Sequence, residues 1–152
     1  MSDPHTVPEG FKPLDSASPF NQLVGPYYAQ RRGDAIVVGL RLEDKHCNTR
    51  GRLHGGMVSA IFDIALGHNV GLEIVRAQGE DDSKFDTGVP GGALVTVSLN
   101  TEYLGTAQRG DWIEAHATVQ RTGRSLVFGN TELWNGAQRI AKGNGIFRIF
   151  LQ

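Results

Sequence analysis

The chain has 152 residues, 39% of them apolar, which is enough for one compact domain with a hydrophobic core. Fifteen Lys and Arg stand against 16 Asp and Glu, so no overall field exists to draw the protein to nucleic acid or to an anionic membrane. Cys47 is the only cysteine, which excludes an intramolecular disulfide and suits a reducing compartment.

The opening residues, Met1-Ser2-Asp3-Pro4-His5, have neither a basic start nor an apolar stretch. No run approaches the roughly 20 apolar residues of a spanning helix. A soluble cytoplasmic protein is the expectation. Residues 1–17, rich in Pro, Asp and Ser, read as a loosely held N-terminal arm, and residues 18–152 as the domain. Ser18-Pro19-Phe20 places a cap and an N1-type proline ahead of Phe20, Leu23 and Val24, predicting a short helix.

Residues 27–31 and 35–42 read as two strands joined at Arg32-Gly33-Asp34, with Ile36, Val38, Leu40 and Leu42 alternating in the second. The period then changes. Met57, Ile61, Ile64, Ala65, His68 and Leu72 recur at helical spacing, predicting one long helix from Gly55 to about Ile74. Residues 77–92, with Gly-Glu-Asp-Asp-Ser and Val-Pro-Gly-Gly, read as a solvated loop.

Four strand-like runs follow, at 93–104, 111–121, 125–134 and 139–150, separated by short turn-rich connections that favour a meander. Asn135-Gly136 is the clearest hairpin signal among them. Single glycines inside the strand runs (Gly39, Gly129, Gly143, Gly145) predict bulges or a close approach by another element. One long helix with an antiparallel sheet of five or six strands defines an α+β fold.

The helix is the place to look for chemistry. Between Met57 and Leu72 its only formal charge is Asp63. Opposite the first apolar face lies a second, made of Ser59, Ala60, Asp63, Gly67 and Val70. A helix apolar nearly all round is covered on both sides. The sheet would cover one side, and a second copy of the chain is the simplest cover for the other. A carboxylate there is costly unless it is paired or used, which makes Asp63 the leading functional candidate. His54-Gly55-Gly56 opens the same helix, where free N–H groups and the helix dipole can stabilise an anion or a developing oxyanion.

The run Asn48-Thr49-Arg50-Gly51-Arg52-Leu53-His54-Gly55-Gly56, followed by Asp63 nine residues after His54, resembles the hot-dog-fold acyl-CoA thioesterases of the PaaI-type and THEM-type branch. The resemblance continues through Leu94-Val95-Thr96-Val97-Ser98-Leu99-Asn100, Tyr103, Gly123-Arg124-Ser125-Leu126-Val127-Phe128 and Ala141-Lys142-Gly143, covering about residues 18–150. It implies a sheet wrapped around the central helix, with two subunits joined edge to edge as a homodimer or a dimer of dimers. Each active site would take Gly55 and Asn48 from one subunit and Asp63 and Thr96 from the other.

In that pattern the Gly55 N–H polarises the thioester carbonyl, with Gly56 at the margin, and Asp63 acts as general base on a water, or alternatively attacks the carbonyl itself. Asn48 and His54 position the carbonyl or the water, and Thr96 holds the water or the Asp63 carboxylate. Arg124, Arg121 and Lys142 are the candidates for the phosphates of CoA. The loop at 77–92 is longer than in the shortest members and could cap the acyl pocket.

His68, on the first apolar face, reads as a core histidine. His5, His46 and His116 are too scattered to form a metal set with Cys47 and Asp63, so neither a metal nor another cofactor is expected. Two other functions suit the same fold. An acyl-CoA hydratase or dehydratase would need an Asp–His pair on the helix, and that pair is not found. A non-catalytic acyl-CoA sensor would carry a DNA-binding segment, for which the arm before Ser18 is too short and insufficiently basic.

Overall fold

The predicted long helix spans Gly55–Ala77 (α2) in the computed structural model, which describes residues 3, 5–14, 18–84 and 94–150. It is preceded by the short helix α1 (Pro19–Val24), capped by Ser18 Oγ, which accepts the Asn21 N–H at 3.3 Å. The strands are β1 (Lys12–Pro13), β2 (Tyr27–Arg32), β3 (Ala35–Arg41), β4 (Leu94–Tyr103), β5 (Trp112–Thr122), β6 (Leu126–Asn135) and β7 (Gln138–Ile149). They form one sheet in the order β1-β2-β3-β5-β6-β7-β4, antiparallel at every step.

Two features of the sheet differ from the local reading. A seventh strand comes from the arm: Lys12 pairs with Ala29 and Pro13 with Tyr28. Phe11 meets Trp112 edge to face at 5.0 Å, and the Thr6 carbonyl accepts a bond from the Arg41 guanidinium. Much of the described arm is therefore docked on the outside of the sheet rather than loose. Secondly, β4 does not turn back onto β5 but pairs with β7 and forms the sheet edge. The connection is held elsewhere: the Leu104 and Gly105 N–H groups both donate to Ile140 O, and Ala107 O accepts the Leu53 N–H. The meander proper is β5-β6-β7.

Other boundaries are close to expectation. Gly33, at a φ of +58°, lies in the β2–β3 turn, where Arg32 pairs with Ala35. The β6–β7 turn is Gly136-Ala137, one residue later than predicted, because Asn135 still pairs with Gln138. The helix runs past Ile74, and Arg76 in its last turn donates to Glu73 Oε1 at 3.0 Å and to Asp82 Oδ2 at 2.6 Å. Asp82 opens a short 3-10 turn (Asp82–Lys84) and also accepts from Arg31 at 3.0 Å. That much of the 77–92 stretch is anchored; residues 85–92 lie outside the described residues.

By length and composition α2 would suffice to cross a bilayer, contrary to the expectation from its sequence. Instead the sheet encloses it, and two thirds of its most apolar window is buried. Close approach is permitted by missing side chains. Gly129 and Gly145 pair across β6 and β7, and a Cβ at either would meet a Leu66 methyl at 2.7 and 2.8 Å. Leu66 thus sits in a notch that two glycines open, and Phe62, Leu72, Ile113, Leu133 and Phe147 close the core around it. Burying a large apolar side chain contributes about 1.5–3 kcal/mol.

One buried polar residue joins helix to sheet. The pairing of β3 with β5 stops at Val37, leaving Ile36 beyond its end. There Asn69 of α2 takes the place of a neighbouring strand: its Oδ1 accepts the Ile36 N–H at 3.0 Å, and its Nδ2 donates to Ile36 O at 2.9 Å and to Ala65 O at 2.8 Å. His68 is likewise satisfied within the helix, through Nδ1 and Ile64 O at 2.8 Å, and burial pushes its pKa below the ordinary histidine value.

Replacing Asn69 with Ala strands both buried backbone groups of Ile36. We expect a loss of about 3 kcal/mol in a urea titration with an unchanged m-value. A change below the usual scatter for surface substitutions would show that the carboxamide is not holding the strand end.

Candidate active site

The free face of α2 is stitched to the edge strand by three side-chain pairs. Tyr103 Oη donates to the Gly55 carbonyl at 2.9 Å, Ser59 Oγ lies 3.2 Å from Thr101 Oγ1, and Thr96 Oγ1 donates to Asp63 Oδ1 at 2.5 Å. On the helix these positions are Gly55, Ser59 and Asp63, four residues apart and therefore on one stripe. The predicted pair of Asp63 and Thr96 is thus brought together within one chain.

Simple alternation along β4 would not place Thr96 there. Leu99, Thr101 and Tyr103 share one face, and Thr96 falls on the opposite parity. A register shift between Thr96 and Ser98 inserts Val97 as an extra residue, so that Thr96 and Leu94 turn to the helix as well. Leu94 and Leu99, five residues apart, both pack against the core, which independently records the change of phase.

The start of α2 is built from His54-Gly55-Gly56. His54 is the N-cap, and its Nδ1 accepts the Gly56 N–H at 2.9 Å. That bond fixes the ring proton on Nε2, which faces outward on an exposed side chain. It also commits the Gly56 N–H, so Gly56 is not an oxyanion donor in this arrangement. The Met57 and Val58 N–H groups turn back to His54 O. Among the described residues the Gly55 N–H is left without a partner. At Gly55 a Cβ would lie 3.2 Å from Tyr103 Oη and 3.3 Å from its Cζ. The glycine lets the tyrosine reach its carbonyl and hold that peptide.

Asn48 has a structural task. Its Oδ1 accepts the Arg50 and Arg52 N–H groups at 2.9 and 3.2 Å, closing the turn that leads into His54. Its Nδ2 remains free among the described residues. The same turn is supported by a bridge between Arg52 and Gln108.

The basic candidates are dispersed. Arg121 is the penultimate residue of β5 and Arg124 lies in the turn before β6, both exposed and outside any ion pair among the described residues. They share an end of the sheet with the carboxylate, since Thr122, Val127, Phe147 and Thr96 form one cross-strand row. Lys142 lies nearer the other end, 3.5 Å from Glu102. Two histidines not assigned to the site are engaged elsewhere: His116 Nε2 is 3.1 Å from Glu114 Oε2, and both His46 ring nitrogens are hydrogen-bonded.

Sequence reasoning passed over Tyr103 as a site residue, the Ser59–Thr101 pair, and Tyr27. Tyr27 is buried, and its Oη has no hydrogen-bond partner among the described residues. Burial first, and then the Asp63 charge, raise its pKa above the ordinary phenol range. The field of Asp63 therefore reaches the start of β2. Only Tyr103 had a readable signal, an aromatic residue at the end of a strand whose alternation also carries Leu99 and Thr101.

The arrangement offers a carboxylate fixed by a hydroxyl and, separately, an unused N–H at a helix N-terminus. Comparisons with known proteins place the chain in a family. The family model described as "Thioesterase superfamily" matches residues 50–142. A provisionally named esterase of Pseudomonas aeruginosa is 33% identical over 144 residues, covering 94% of this chain and 97% of the relative. Human acyl-coenzyme A thioesterase 13 is 26% identical over 130 residues, covering 85% of this chain and 82% of the relative. The solved structure of the Escherichia coli PaaI protein, from the phenylacetic acid degradation operon, superposes with a TM-score of 0.70 at 17% identity, covering 89% of this chain and 86% of that one. That last likeness establishes the hot-dog fold. With a family model matched over most of the domain and a relative aligned along nearly the whole chain, the protein belongs to the thioesterase superfamily.

Proposed function

We propose that the protein hydrolyses the thioester of an acyl-CoA with an aryl, short or medium acyl chain, giving the free acid and CoA. The observation that carries this reading is the division of labour at the start of α2. His54 takes up the Gly56 N–H and leaves the Gly55 N–H open at the positive end of the helix dipole.

In the reaction the thioester carbonyl oxygen sits on the Gly55 N–H. Asp63, held by Thr96, removes a proton from a water as it attacks the carbonyl carbon. The negative charge that forms on oxygen is stabilised by the Gly55 N–H and the helix dipole. Collapse of the tetrahedral adduct breaks the carbon–sulfur bond, and the proton on Asp63 passes to the departing thiolate. Nε2–H of His54 and Nδ2 of Asn48 are the remaining donors near the carbonyl site. Arg121 and Arg124 are the cations available to CoA phosphates, and Lys142 is a weaker one because Glu102 already faces it.

One chain does not supply both halves of a site. The residues are eight apart on the helix, roughly 12 Å along its axis. Helical N–H groups point toward the N-terminus, so the Gly55 donor faces away from Asp63. A second copy joined along β4 resolves this. That strand is a ten-residue edge with Val95 50% and Val97 56% exposed, a row of unpaired groups suited to pairing with its own symmetry mate.

Asp63→Asn keeps the Thr96 contact but removes the base. Thiol release from a panel of acyl-CoAs should fall by about 10²–10⁴-fold with the oligomer intact on size exclusion. Wild-type protein that binds CoA tightly yet releases thiol from no substrate would instead favour an acyl-CoA-binding module.

Gly55→Pro is a clean test of the donor. Position N1 tolerates proline, and His54 already has the extended backbone (φ −70°, ψ 135°) that a following proline requires. A Cβ here lies 3.2 Å from Tyr103 Oη, so Gly55→Ala, which crowds the tyrosine but keeps the N–H, is the control. Turnover should drop by about 10²–10³-fold in a folded protein; full activity would move the oxyanion site elsewhere.

A further inference from the structure

His46 is a buried polar residue outside the proposed machinery whose ring and backbone are both hydrogen-bonded. Its side chain is 0% exposed. The Glu43 N–H donates to Nδ1 at 2.9 Å, which makes Nδ1 the acceptor and places the ring proton on Nε2. Nε2 in turn donates to the carbonyl of Val24, the last residue of α1, at 2.6 Å. Its backbone is used as well: the His46 N–H donates to Glu43 O at 3.0 Å, and His46 O accepts the His54 N–H at 2.9 Å. One side chain therefore binds the end of α1 to the Asp44–His46 turn, and the same residue's carbonyl holds the residue whose peptide carries the Gly55 N–H.

The direction of that N–H is set by the plane of the His54–Gly55 peptide. Downstream the plane is held by helix bonds from Met57 and Val58 to His54 O, and the Tyr103 bond to Gly55 O holds the peptide that follows. Upstream the contact on His54 comes from His46 O. A turn anchored only by its own backbone could rock; this one is pinned to α1 through an imidazole that has no water to fall back on. Burial also lowers the ring's affinity for a proton, more than the Val24 carbonyl raises it, so the neutral form that the two ring bonds require persists.

We propose that His46 is a positioning residue for the oxyanion donor, setting where the Gly55 N–H points by locking the turn before α2 to the end of α1. This rests on the reading of Gly55 as that donor, and the experiment separates the two. The full-length chain is compared with His46→Phe, which keeps the ring volume but neither bond, and with His46→Ala, which leaves an imidazole-sized space. Thiol release is measured with and without added imidazole. In parallel the Gly55 amide is followed by ¹⁵N–¹H NMR, which reads the peptide whether or not the protein is active.

A misplaced donor affects turnover more than binding. We expect kcat of H46F to fall at least about tenfold with KM changed by less than about threefold. In H46A, imidazole should restore kcat and return the Gly55 resonance toward its wild-type position, without effect on H46F. Should H46F fail to fold, His46→Leu, which likewise removes both ring bonds, provides the same readouts. An unmoved Gly55 resonance in the folded variants, or a loss confined to KM, overturns the proposal. A shifted resonance in a wild-type background that hydrolyses no thioester keeps the positioning role and removes the catalytic reading of Gly55.

Discussion

The structure depends on covering one apolar helix. Over 23 residues α2 has a charge only at Asp63, Glu73 and Arg76, and the last two lie in its final turns, where they pair with each other. The sheet accepts one side of this helix closely because Gly129 and Gly145 open a notch for Leu66. Two polar devices secure the C-terminal part of the helix. Asn69 finishes the β3 edge from inside the core, and the Arg31–Asp82–Arg76 cluster ties down the helix end beside it. What the sheet does not cover is a narrow stripe, and the site is built on it.

That stripe explains why the candidate groups are where they are. The edge strand can come alongside the helix only if the residues between them are small or can bond, as Gly55, Ser59 and Asp63 do with Tyr103, Thr101 and Thr96. A carboxylate on this stripe is kept out of the core yet held in one orientation. The helix start contributes its N–H at the other end, directed off the axis. In the proposed reaction these two halves meet only when two chains join their β4 edges, which makes assembly a condition of activity. The exposed Val95 and Val97 then serve pairing, not solvent.

Much of this was legible in the chain. Helical spacing from Met57 to Leu72, alternation in the strands and the Asn-Gly turn are local patterns, and they appear within a few residues of where the periodicity puts them. The isolated charge at Asp63 and the glycines after His54 were visible because chemistry there needs unusual residues in unusual places. The unread parts are long-range. Nothing near Thr96 says that β4 leaves β5 for β7, because strand order is settled by which edge can reach the helix. The extra residue at Val97 left only a faint mark, two core leucines five apart. His46 looked like one of several scattered histidines, since its partners Val24 and His54 lie far from it along the chain or belong to the backbone. Lys12 and Pro13 resembled loop because a two-residue strand has no period to show.

The claim that one site takes its base and its donor from different chains can be tested by mixing. Asp63→Asn and Gly55→Pro are each nearly inactive in this account, and each leaves the other chain's contribution whole. After the two proteins are dissociated together and allowed to reassociate, half of a random dimer population is mixed, and each mixed dimer has one intact site. Recovery of roughly a quarter of wild-type thiol release is the predicted result for such an isologous pair. A mixture that stays inactive, although subunit exchange is shown by a tag on one partner, would contradict a shared site and return both groups to a single chain.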